Sequence, residues 1–426
     1  MKTSPFSAQH DLPRPLASST ISPHVLFFIF YNLLYLLPLL LAFGFGYDEG
    51  GVGGVLGVAG ATVLKACSIY MAGIVAFVAG SSVVHFLSWS KYGRLPARRP
   101  FRQFRIGIAE WLAIGGLIAV FLATKIALIP LGVYNSYAFD TGLMDSSVWS
   151  FSTFCSEAMV LVALIVLFSD AKHNLGAFLV ISGINGINLL HGTRIFFISS
   201  MMGLILYANV RGKITYKAAL LYGPILGAGV LLLTYLVFLS RSAVNVAGAF
   251  TPTKLISPLI YESVFSQMSL LTLIKIPMIW GNLDTMGWFL HDVFVFTIPR
   301  FLAPDKGNLQ YIGQFNWLSP LGGFNGYAHA LLYFGLFFPF YYFLLGVLGY
   351  WLFRQGMRSS WWFILYALFT VDFFLHLTRD GYIISIKMMI NSFELLVILI
   401  AWRYSIKACG RHKSDHIEPA SYTGEI

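Results

Sequence analysis

Charge is what this chain has least of: Asp, Glu, Lys and Arg make up 11% of its 426 residues. Soluble domains carry about 25%, so this sequence has too little charge to cover a water-facing surface. Cysteine is almost as scarce. Cys67 and Cys155 fall in apolar segments and Cys409 in a basic tail, a spacing that makes neither a disulfide framework nor a CxxC metal pair. There is no Walker lysine loop, no HExxH and no Asp-x-Asp pair. Those absences argue against nucleotide hydrolysis, zinc proteolysis and metal-dependent use of a nucleotide sugar.

What the chain has in excess is apolar surface: it is 57% hydrophobic and 16% aromatic, with mean hydropathy +0.73. A bilayer is the environment that accommodates it. A membrane span needs about 20 apolar residues. Ten stretches fit or come close, at 24–44, 56–80, 106–129, 149–168, 175–190, 194–210, 218–239, 328–353, 360–377 and 382–402. The expectation is an all-α polytopic membrane bundle of about ten transmembrane helices. The fifth and sixth stretches are short, are separated only by His191-Gly192-Thr193, and can be read as one broken hairpin. The polar segment before Pro23 leads into a run long enough to span, which reads as a retained helix and not a cleaved signal.

The net charge of +10 is explained by where the basic residues fall. With the N-terminus inside, eighteen of the 28 Lys and Arg lie in inner segments, with Lys91 to Arg105 the densest run. Outer loop 45–55 carries Asp48 and Glu49, and outer loop 130–148 carries Asp140 and Asp145, with no Lys or Arg in either. The positive-inside rule then puts both termini in the cytoplasm of a bacterial inner membrane, and it accounts for the basic balance without nucleic acid. The chain divides into a cytoplasmic segment 1–23, a seven-span part 24–240, a large periplasmic loop 241–327, a three-span part 328–402 and a cytoplasmic tail 403–426. The large loop is aromatic. Leu255 to Trp280 reads as one or two interfacial or re-entrant helices, and Trp280, Trp288 and Trp317 suit the headgroup region.

Arginine on the outer side needs a reason, because the same rule disfavours it there. Arg194 begins the sixth span, Arg241 ends the seventh, Arg300 follows Ile298-Pro299 in the loop, and Arg379 sits beside Asp380 in the last outer turn. Guanidinium groups bind phosphate oxygens bidentately and stay charged, so a cluster of them would hold a pyrophosphate and stabilise it as a leaving group. The bland reading is that each snorkels to lipid headgroups or pairs locally. His329, at the outer mouth of the eighth span, has the chemistry of a general base or acid. His191 and His291 are weaker candidates of the same kind. Lys65, Glu157, Asp372, Lys387 and Glu394 fall within spans, where ionisable groups are functional candidates. Asp372 is placed to pair with Arg379 or Lys387, and Glu157 with Lys65. A charged path through the bundle would instead point to a transporter.

The order of these features resembles the Wzy-type O-antigen polymerases. The resemblance rests on Gly192-Thr193-Arg194 opening a central span and on a large outer loop before the last spans. It rests also on Ile298-Pro299-Arg300 followed by Lys306, and on the stretch from Gly322-Gly323 through His329 to Phe334-Gly335. It covers roughly residues 185–380 and implies a GT-C-like fold. It implies joining of undecaprenyl-pyrophosphate-linked oligosaccharide repeat units at the periplasmic face, with no cofactor and no metal. Arg194, Arg241, Arg300, Lys306 and Arg379 would hold pyrophosphate and glycan, with Arg194, Arg300 and His329 at the reacting groups. The proton of the attacking hydroxyl would go to His329 or to a carboxylate such as Asp292 or Asp380. Partners implied are the lipid-linked oligosaccharide, membrane lipid and a chain-length regulator. An O-antigen ligase shares the outer arginines and a loop histidine. A lipid-linked oligosaccharide flippase is the reading of a different class.

Overall fold

The computed structural model describes residues 22–44, 60–92, 106–128, 146–190, 195–211, 266–298, 305–318 and 324–414. These residues form helices joined by turns, with no strand element among them. We label the helices in chain order: α1 Pro23–Gly44, α2 Gly60–Tyr92, α3 Ile108–Leu128, α4 Ser146–Leu167, α5 Asn174–Asn185 and α6 Ile195–Val210. They continue as α7 at 266–275, α8 Leu283–Thr297, α9 Gly326–Phe334, α10 Phe338–Gly356, α11 Ser360–Asp380 and α12 Tyr382–Ser414.

Five helical segments are long and apolar enough to cross a membrane, namely Gly60–Leu87, Ile108–Ile126, Gly326–Gly356 (interrupted at Gly335), Ser360–Asp380 and Tyr382–Ser405. Four shorter apolar helices, Pro23–Leu37, Phe151–Leu167, Asn174–Leu189 and Ile195–Val210, pack among them. Leu33, Leu37, Met71, Leu112, Val180 and Ile398 stand exposed on outward faces, as a lipid-covered surface requires. The seventh expected span, 218–239, lies outside the described residues.

Side-chain contacts set the helix directions. On α1 and α2, His24 Nε2 is hydrogen-bonded to Ser81 Oγ at 2.9 Å and Phe28 stacks on Phe77 at 3.9 Å, so the two run antiparallel. Helices α2 and α10 run the same way and press closest at Gly80 and Gly346. A Cβ on either glycine would strike backbone of the other helix, at Phe343 O and Phe77 O. Small residues at such a crossing let two backbones approach within van der Waals range, the main source of attraction between helices in lipid. Lys125 Nζ donates to Ser152 Oγ at 2.7 Å across the antiparallel pair α3 and α4. Helices α5 and α6, from the two short stretches, pack against each other: Asn185 Nδ2 donates to Phe196 O and Ser200 Oγ, both at 3.3 Å.

The eighth span differs from its expectation of one helix over 328–353. The chain breaks at Gly335, whose φ of +51° is open to glycine, and doubles back. The rings of Tyr327 and Tyr342 stack with centroids 4.6 Å apart, whereas fifteen residues of straight helix would separate their backbones by about 22 Å. Only Phe338–Gly356 continues as a full-length helix, started by Pro339 in its first turn. The short helix α9 is buried along its whole length among α2, α10, α11 and α12.

Helix α8 in the large loop is set by local chemistry. Asn282 Oδ1 accepts from Asp284 N and Thr285 N, and Thr285 Oγ1 accepts from Asn282 N at 2.7 Å, a complete capping box. The same threonine hydroxyl donates to Tyr333 O at 2.9 Å, fastening α8 to α9. The described residues between 266 and 318 thus form short packed helices.

Candidate functional site at the α11–α12 turn

Of the residues expected to hold pyrophosphate and glycan or to act at the reacting groups, His329, Lys306 and Arg379 are described, and His329 and Arg379 lie at the turn between α11 and α12. Gly381 makes the turn with φ +82°, and a Cβ there would collide with the His329 ring. The next backbone amide, Tyr382 N, donates to His329 Nδ1 at 3.0 Å. His329 is 3% exposed and lies 4.4 Å, centroid to centroid, from Phe324. Because Nδ1 accepts a backbone N–H, the neutral ring carries its proton on Nε2. His329 is therefore built to donate a hydrogen bond, and its Nδ1 lone pair is already in use.

Arg379 stands two residues before Gly381. Its Nη1 is 3.4 Å from Asp380 Oδ1, and its side chain remains partly open. Asp372, expected to pair with Arg379 or Lys387, instead faces His376, with Oδ1 and Nε2 3.8 Å apart.

Lys306 belongs to the end of α8. Its ammonium donates to Phe296 O at 3.0 Å and Ile298 O at 2.8 Å, capping the carbonyl end of the helix where positive charge is favoured. It also lies 5.0 Å from the centre of the Phe296 ring, and Lys387 of α12 lies 5.0 Å from that same centre. Two cations thus share one aromatic ring beside the first turns of α12. Arg194, Arg241, Arg300 and His191 lie outside the described residues, as does the Gly322-Gly323 turn.

Asp292 is a tie within the loop. Oδ1 accepts from Tyr311 N at 2.8 Å, and Oδ2 accepts from Ile312 N at 2.8 Å and from the Tyr333 hydroxyl at 2.5 Å. The carboxylate is fully buried and its lone pairs are committed. Burial first, and then the adjacent Asp292 carboxylate, push the Tyr311 phenol above its ordinary value. His291 Nδ1 sits 3.2 Å from Asp292 Oδ1 on the exposed side, and Trp288 packs edge-on against its ring.

The sequence reading missed His376. It lies four residues after Asp372 and four before Asp380, on one helical face, and that Asp-x3-His-x3-Asp spacing was the signal available. Its Nδ1 is hydrogen-bonded to Asp380 Oδ2 at 2.8 Å. The row begins in a π turn, Phe369–Phe373, that interrupts α11, a local irregularity often found at functional positions. On α4, Glu157 Oε2 accepts from Asn391 Nδ2 of α12 at 2.9 Å, so Glu157 pairs with an amide and not with Lys65. Lys65 and Glu394 are exposed on outer helix faces.

A second buried network secures α9. The Tyr70 hydroxyl accepts from Gln267 Nε2 and from Asn325 Nδ2, the latter at 2.8 Å. Asn325 Oδ1 caps the amide of Tyr327, whose own hydroxyl donates to Asn32 Oδ1 at 2.6 Å. Elements α1, α2, α7 and α9 are joined by these four side chains and Gln267, and the α9 segment carrying His329 is held in place by them. No family model, curated protein or solved structure matches the chain.

Proposed function

We propose that this chain is a glycosyltransferase of the inner membrane that polymerises undecaprenyl-pyrophosphate-linked oligosaccharide repeat units into O-antigen or a related surface polysaccharide. On this reading the bundle has ten spans and a GT-C-like arrangement, both termini are cytoplasmic, and the α11–α12 turn faces the periplasm. The observation that carries the reading is the placing of His329 and Arg379 at that one turn, with the Lys306–Lys387 pair gathered on Phe296 beside α12.

Transfer proceeds without cofactor or metal. Cationic side chains offset the charge developing on the pyrophosphate as it leaves the anomeric carbon, and Nε2–H of His329 donates to a glycan oxygen. Pyrophosphate is a good leaving group, so orientation and charge stabilisation supply most of the rate. Arg194, Arg241 and Arg300 complete the anion site, and a chain-length regulator is a further partner.

The test is to replace Arg194, Arg241 and Arg300 singly and read the surface polysaccharide ladder. Each replacement shortens or abolishes the ladder; long chains retained in all three overturn the mechanism. Loss of polymerisation with single-repeat transfer intact separates a polymerase from a ligase.

A transporter reading draws on the buried polar side chains of α4 and α11. It calls for charges continuous through the bundle, and the exposed positions of Lys65 and Glu394 do not supply them.

A further inference from the structure

Three side chains near the α11–α12 turn have the chemistry to take a proton from an attacking hydroxyl: His329, Asp292 and Asp380. Two are already committed. The Nδ1 atom of His329 receives the Tyr382 amide proton, and Asp292 is consumed by two backbone amides and a phenol. Asp380 is different. Among the described residues its Oδ2 takes one hydrogen bond, from His376 Nδ1 at 2.8 Å, and its Oδ1 meets only the long 3.4 Å contact from Arg379 within its own turn. The side chain keeps 12% of its surface exposed, next to the more open Arg379.

Behind Asp380 the row continues inward. His376 is 1% exposed and Asp372 4%. His376 Nε2 and Asp372 Oδ1 face one another at 3.8 Å, and among the described residues neither atom has a hydrogen-bond partner. Two polar atoms left unsatisfied in an apolar interior carry a desolvation penalty, and such groups call for a reason. A small rotamer change would close the gap and let one proton be shared between them. Glu157 of α4 is near enough to act electrostatically on Asp372 and His376, and the Phe196 ring of α6 lies 6.0 Å from the His376 ring. Among the described residues no three His, Cys, Asp or Glu side chains gather round a point as a metal cage would; these are strung along one helix face.

We propose that Asp380 is the catalytic proton acceptor, and that His376 and Asp372 are positioning residues that fix its carboxyl from behind. The proposal rests on the polymerase reading. In the step, the acceptor oxygen forms the new bond to the anomeric carbon. The carbon–oxygen bond to pyrophosphate breaks, and its electron pair leaves with the pyrophosphate. The acceptor's hydroxyl proton goes to Asp380, and is lost to water after product leaves. The Nδ1–H of His376 holds Oδ2, so that Oδ1 is the oxygen presented. Asp372 holds the far nitrogen of the imidazole and so the ring orientation.

The experiment uses the full chain in lipid nanodiscs with a lipid-pyrophosphate-linked repeat unit, following chain elongation. Asp380→Asn lowers kcat about 100-fold with KM within twofold, the low end of what a general base contributes. His376→Ala falls comparably. His376→Asn, whose amide N–H stands where Nδ1–H stood, recovers at least tenfold of that loss. Asp372→Asn lowers kcat about tenfold, and Asp372→Glu restores it. Thermal midpoints of all variants within a few degrees of wild type establish that folding is intact, and a variant that fails this check is replaced by its conservative partner, Asp380→Glu or His376→Asn. An active wild type with unchanged kcat in Asp380→Asn overturns the proposal alone. So does a loss that appears only in KM, or His376→Asn no better than His376→Ala. A wild type that folds and fails to elongate overturns the polymerase reading and the proton acceptor with it.

Discussion

The two sides of the bundle bury different things. Helices α1, α2, α9 and α10 pack through aromatic rings: Phe28 on Phe77, Tyr327 on Tyr342, Tyr70 against Tyr327, with few ionisable groups between them. Helices α4, α5, α6, the end of α11 and the start of α12 bury Ser156, Glu157, Asn185, Asn188, Asp372, His376 and Asp380. The first side gains its cohesion from close backbone approach and ring area, and its hydroxyls are used as clamps. The second retains ionisable groups that hydrophobic residues of equal volume would replace at little cost. Stability and chemistry are thus divided, and α11 belongs to both, touching α1 through Val371 O and the polar side through His376.

Substitutions can break that division, and the largest effect is expected where backbones touch. Gly80→Leu places a side chain against Phe343 O. Overpacking of this kind costs about 3 kcal/mol or more when the obstacle is backbone, and the protein should fail to elute as a monodisperse species in detergent. Next is Tyr70→Phe, which strands the amides of Gln267 and Asn325. That should cost about 2 kcal/mol, read as a lowered thermal midpoint, with faster hydrogen exchange in α9. Lys306→Met removes the cap from α8 and should cost about 1 kcal/mol, seen as faster exchange confined to the last turn of that helix. The smallest effect belongs to the polar side. Glu157→Gln keeps an oxygen for Asn391, and stability should change by less than about 1 kcal/mol. A large loss there, or none at Gly80, would erase the contrast.

Much of the fold was readable from hydrophobic runs, because burial in lipid demands length and apolarity and little else. The helical ends at Pro23, Leu128, Leu167 and Val210 fall near the expected limits. The break at Gly335 was not readable. It lies in an uninterrupted apolar stretch, and hydropathy does not record a backbone turn between two segments that are both buried. The pairing of Lys65 with Glu157 failed for a related reason: similar depth along two helices says nothing about which way each side chain faces, and Lys65 faces out. The site was legible in part. Sequence chose His329, Arg379 and Lys306: the first two lie at the Gly381 turn, and Lys306 caps the end of α8. It overlooked His376, since a scan for charges passes over a histidine between two aspartates. It offered Asp292 as a base, where burial and two backbone amides and a phenol make it a tie; these donors come from residues 19 to 41 positions away.

The π turn at Phe369–Phe373 has a consequence for how this helix could vary. A π turn holds one more residue than the α-helical turn it replaces, so deleting a single residue there would restore a regular helix without disturbing either end of its hydrogen-bonding pattern. The turns that carry His376 and Asp380 would keep their facing, because the π turn is what absorbs the added residue. Tyr366 would keep its place against His24. A one-residue deletion in Phe369–Phe373 should therefore leave a folded bundle with its outer turn aimed as before.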